Sequence, residues 1–233
     1  FGFALLSVPL LMLVMSPKEA IILTLIAGVL QKTIMIQRTW HEGSFRVIAP
    51  LFLASIIGAV TGAYVLHLIN DSALKIFIGL VLILATLVLA ANVSMTFRRR
   101  TLVQSIIGII SGFLGSTTSF SGPPVMLYML NEKQEKETIR ANLARYFVLG
   151  NIVSLASSYV FGTFQFASIS IVFISIPALA IGVWIGDKLF RCLDAAAFRR
   201  LALCVISGSG LVSIGSGLLL YLPKLLEIAG SLH

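Results

Sequence analysis

Residues 115–124 read Gly115-Ser-Thr-Thr-Ser-Phe-Ser-Gly-Pro-Pro124, in the middle of the uncharged run Thr101–Asn131. The flanks are apolar enough for helix, but two adjacent prolines behind a cluster of hydroxyl residues cannot sit inside one regular helix. The run therefore predicts two helices meeting at a break. In a membrane such a break survives only where protein or a cavity covers it, because its freed backbone groups need partners.

Composition places that break in a bilayer. Of 233 residues, 58% are hydrophobic and 11% are charged, with a mean hydropathy of +1.02. Soluble domains are about 25% charged, so a soluble globule, a disordered chain and a disulfide scaffold are all excluded. A helix needs about 20 residues to cross, so the chain has room for about 7–9 crossings. Val47–Asn70, Ile76–Phe97 and Leu201–Pro223 are further uncharged runs, and Tyr146–Gly186 is long enough for two crossings with a turn near Thr163–Gln165. Strand-like alternation is absent. The expected fold is an all-α integral membrane protein of two inverted-topology repeats with broken or re-entrant helices. The first repeat covers 1–97, a basic cytoplasmic linker 98–104, the second repeat 105–223 and a tail 224–233. The chain opens with Phe inside an apolar run, so the first helix of repeat one is expected upstream.

Charge orients the spans. With Thr101–Leu130 as a re-entrant pair, the basic clusters in 32–46, 98–100, 133–140 and 188–200 all fall on one face and hold 13 of the 17 basic residues. That face is read as cytoplasmic. The net charge of +8 follows from this bias, and no nucleic-acid partner is implied. Cys192 and Cys204 read as reduced and structural, and no cofactor or metal site is apparent.

The repeat shows in sequence. Gly58–Lys75 and Gly182–Arg199 align without a gap: each has GxxxG, an apolar helix end, a polar turn and a basic residue. The first ends outside and the second inside, as expected of inverted halves. Upstream, Ser7-Val8-Pro9 answers Ser121-Gly122-Pro123, and in each the serine suits a cap and the proline a first turn. Half-helices starting at Pro9 and Pro123 would aim N–H groups and a positive dipole end at the bilayer centre, where anions are favoured. Candidate substrate-binding residues are Ser7, Ser116, Thr117, Ser119, Ser121 and Gly122. The alternative is that these hydroxyls only satisfy backbone groups freed by the break. Gln31 and Asn151 occupy comparable places in the two halves and either line the site or tie helices together. Arg145 either reaches the ligand or snorkels to the interface. Lys32 reads as an interface anchor and His67 as a helix-end residue. Trp40 and Trp184 suit the aromatic belt. No carboxylate falls in the middle of a span, so a buried proton relay has no carrier.

Three stretches, Gly108–Leu130, Ile139–Ser154 and Pro177–Arg200, together resemble the sulfite exporter TauE/SafE family of bacterial membrane transporters. The family's glycine-rich signature is here Ser-Thr-Thr-Ser-Phe-Ser-Gly, and only Phe1-Gly2-Phe3 of its counterpart stands in the first half. The resemblance implies carriage of small sulfur-containing or organic anions, such as sulfite or sulfonates, across the bacterial inner membrane. The expected function is a secondary anion transporter working by alternating access, in contact with lipid. A passive anion channel is the first alternative, and a membrane-embedded enzyme a weaker one. Coupling to H⁺ or Na⁺ and the oligomeric state stay open, a homodimer among the options.

Overall fold

A computed structural model describes residues 2–38, 42–90, 100–131, 135–164, 203–204 and 206–219. Every regular element among them is a helix: α1 (Gly2–Leu11), α2 (Pro17–Arg38), α3 (Phe45–Leu68), α4 (Asp71–Ala90), α5 (Arg100–Thr118), α6 (Gly122–Asn131) and α7 (Lys136–Val160), then α8 (Ile206–Leu219). Four, α2 to α5, are long and apolar enough to cross a bilayer. Large apolar side chains stand exposed in stripes one turn apart, such as Leu53, Ile57, Tyr64 and Leu68 on α3, or Leu80, Leu84 and Leu87 on α4. Stripes of this extent suit lipid rather than water. The second crossing of Tyr146–Gly186, the repeat copy at 182–199, Trp40, Trp184 and Cys192 lie outside the described residues.

Local chemistry sets the ends. Ser16 and Glu19 form a capping box before α2: Glu19 N–H donates to Ser16 Oγ (3.3 Å), and Ser16 N–H to Glu19 Oε2 (3.1 Å), with Pro17 in the first turn. α7 stops at Gly162, whose φ of 72° suits a residue without Cβ. There Thr163 N–H donates to Ser158 O and Gly162 N–H to Tyr159 O, the paired bonds of a Schellman ending. This lies slightly ahead of the turn expected near Thr163–Gln165.

The break in 115–124 is present. α5 ends at Thr118, Ser119 takes the left-handed conformation (φ 65°), and α6 starts at Gly122 with Pro123 and Pro124 in its first turn. The corresponding expectation for the first half is corrected: Pro9 is the eighth residue of the ten-residue α1, not its start. It sits where only one N–H bond is lost and α1 ends two residues later, so it is a terminator rather than an initiator. Ser7 accordingly lies mid-helix and caps nothing.

Glycines join α3 to α5. A Cβ on Gly58 would strike Ile109 O, and one on Gly112 would strike Ser55 O; Gly62 faces Phe113 and Gly108 faces Leu51 in the same way. Each helix offers a small-xxx-small pair to the other, so backbones touch. The contacts advance together along both chains, so α3 and α5 run parallel. α2 and α7 run antiparallel, with Gly28 beside Asn151 and Lys32 over Phe147. Ser44 N–H donates to Asn142 Oδ1 (2.8 Å), which brings the α2–α3 connection to the start of α7. The starts of α3, α5 and α7 therefore share one end of the bundle. Arg46 and Arg140 lie at that end, and α5–α6 enters and returns there. Lys18 at the start of α2 donates to His67 O (3.1 Å) at the opposite end.

Candidate functional site

The break brings Ser121 beside the middle of α3, α5 and α7. A cavity of about 10 Å³, the space of one water, is lined there by Ser55 and Ala59 of α3 and by Ser111, Gly112 and Gly115 of α5. Ser121 closes one side, and Tyr146, Gly150, Asn151 and Ser154 of α7 close another. No carboxylate lines it. On its flanks Phe120 packs into the apolar cluster with Val8, Leu25 and Leu82, while Tyr146 packs into a second one with Ile48, Leu51 and Tyr128. The break is thus clamped between two cores.

Of the residues named from sequence, Ser121 and Asn151 line the cavity. Asn151 Nδ2 also donates to Leu25 O (3.3 Å), so it ties α7 to α2 as well. Ser116 is fully buried and donates to Ser154 Oγ (2.8 Å), one shell behind the wall. Thr117 and Thr118 donate to Phe113 O and Leu114 O, each at 2.7 Å, so these two hydroxyls serve their own helix. Ser119 is buried and makes the left-handed turn, and Gly122 is buried at the start of α6. Ser7 on α1 and Gln31 on α2 are half-buried and outside the lining.

The two interior cations take different positions. Arg145 is buried, but its guanidinium occupies the space beside Gly43 where a Cβ would stand, and its carbon lies 5.4 Å from the Phe45 ring centroid. It clasps the α2–α3 connection and is not among the lining residues. Lys32, expected at the interface, turns inward. Its Nζ sits 5.3 Å from the Phe147 ring centroid, and it and Asn151 Nδ2 lie 3.1 and 2.7 Å from where a Cβ on Gly28 would stand. The ammonium therefore adjoins a lining side chain. Gly28 and Lys32, one turn apart on α2, meet Phe147 and Asn151, one turn apart on α7. This ladder between two helices is invisible along either alone.

The start of α6 also departs from the amide-rich tip expected. Prolines have no N–H, so Pro123 and Pro124 remove two of the four amide donors that a helix start normally offers. Side chains must supply what those amides do not. Ser55, Ser111, Tyr146, Gly150 and Ser154 were not singled out from sequence. A signal existed for α7, where Asn142, Tyr146, Gly150, Ser154 and Ser158 recur every fourth residue and make a polar or small stripe in an apolar helix. The family profile described as Sulfite exporter TauE/SafE matches residues 1–219. No curated protein and no solved structure matches the chain.

Proposed function

Since the chain belongs to the sulfite exporter TauE/SafE family of membrane transporters, we propose that it is a secondary transporter carrying a small oxyanion, such as sulfite or a sulfonate, across the bacterial inner membrane. The observation that carries this is the cavity at the α5–α6 break. Its polar wall is hydroxyl and amide groups without a carboxylate, and the Lys32 ammonium adjoins it. A cation without a counter-carboxylate favours a negative solute.

Alternating access between inverted halves is supported by the helix directions. α1 leads to the end where α2 begins, beside His67; α6 leads to the opposite end, where α7 begins beside Ser44. A ten-residue helix followed by a long one thus occurs twice, and α2 and α7 run oppositely. Such inverted pairs flank the midplane sites of many secondary transporters. The cavity has room for about one water, less than an oxyanion needs, so the wall must open to admit one. That favours a carrier over a standing pore. Flux of radiolabelled sulfite into proteoliposomes tests the reading: it should saturate and be accelerated by solute on the opposite side. Absence of saturable flux for every small oxyanion tried would refute it.

A further inference from the structure

Three of the five hydroxyls on the cavity wall stand together, and two of their protons are already placed. Ser55 Oγ donates to Phe52 O and Ser111 Oγ donates to Ser121 O, each at 2.7 Å. The third is Tyr146 Oη. Its ring is 1% exposed, packs edge-on against Phe147 at 5.7 Å and sits within an apolar cluster. The hydroxyl is buried and makes no hydrogen bond among the described residues. The Ser55 and Ser111 hydroxyls face it without reaching hydrogen-bond geometry in this state. Packing alone is served equally by phenylalanine, so the oxygen needs another explanation, because a buried hydroxyl without a partner destabilises the fold.

The wall around it narrows that explanation. Ser55 and Ser111 turn their protons away and show the cavity only lone pairs, which repel an anion. α6 begins Gly122-Pro123-Pro124 and lacks two amide donors. Tyr146 therefore holds the one proton of these three that is not fixed on a backbone carbonyl, and only the Ser55 and Ser111 lone pairs compete with an entering oxygen for it. We propose that Tyr146 is the recognition residue of the site, its hydroxyl donating to a deprotonated oxygen of a compact oxyanion seated against Ser121 and Asn151. The inference rests on the anion-transport reading and deepens it: the class taken is an oxyanion with a bare oxygen at that position. A solute of the same size lacking that oxygen leaves the hydroxyl unpaired and is rejected, since sites built around a hydrogen bond discriminate strongly against analogues without it.

Tyr146→Phe in the full chain removes one oxygen and keeps the ring. In proteoliposomes it should raise the KM for sulfite at least tenfold. In detergent its melting temperature should equal or exceed that of the unaltered protein, because the unpaired hydroxyl is gone. Sulfite should raise the melting temperature of the unaltered protein and not that of Tyr146→Phe, a readout that needs no transport. An unchanged KM and an unchanged sulfite-induced shift overturn the role of Tyr146 and leave the transport reading standing. A lowered melting temperature with unchanged KM makes the hydroxyl structural and overturns it equally. If the unaltered protein carries no small oxyanion and is not stabilised by any, both readings fall.

Discussion

The close approach of α3 and α5 yields a test with an internal control, Gly62→Ala against Gly150→Ala. A Cβ on Gly62 would stand 2.6 Å from Phe113 O, 3.1 Å from its Cα and 3.2 Å from its carbonyl carbon. All three are backbone atoms of a helix, so no side chain can turn aside and the helices themselves must separate. Ordinary contact starts at 3.4 Å, so the local separation is about 0.8 Å. Overpacking of this kind costs about 1–3 kcal/mol, against about 0.5–1 kcal/mol gained by alanine over glycine in a helix. A net loss of about 0–2.5 kcal/mol follows, and it falls one turn from Ala59 on the cavity wall. At Gly150 a Cβ meets nothing within 4 Å, so only the helix gain remains. Melting of the two purified variants, with sulfite flux measured in parallel, compares them directly. Gly62→Ala should melt lower and transport more slowly, whereas Gly150→Ala should melt at or above the unaltered protein. If Gly62→Ala melts as high as Gly150→Ala, backbone contact does not hold α3 to α5 and the reasoning fails.

Two further predictions concern the cations. Lys32→Gln should raise the KM for sulfite about tenfold, equivalent to about 1.4 kcal/mol, without lowering the melting temperature, because an intramembrane charge is itself costly. Unchanged KM in concentration-dependent flux would remove Lys32 from the site. Arg145→Gln should act oppositely: losing its contact over Phe45 costs about 0.5–2 kcal/mol, lowers the melting temperature and leaves the KM nearly as it was. A tenfold rise in KM at constant melting temperature would return Arg145 to the solute.

Much of the membrane architecture was legible because it rests on local rules. Uncharged runs mark helices, and Gly-Pro-Pro behind a hydroxyl cluster marks the break. The same rules misplaced the start of α1. Ser7-Val8-Pro9 has the spelling of a helix start, but the apolar residues before it already form one and Pro9 helps to end it.

The chain's own order of residues thus determined that it is a bundle of apolar helices with an interrupted segment. Those properties arise from solvation and backbone sterics, which act within one helix or between a helix and its solvent. Tertiary structure alone decided which side chains meet. Lys32 turns inward and Arg145 reaches toward the α2–α3 connection because Gly28 and Gly43 leave room for their heads, and both are long enough to point either way along a helix. The cavity wall draws on three helices and a break, and its register comes from glycines of α3 pressed against the backbone of α5. Such a register is a relation between helices, and no single stretch of sequence contains it.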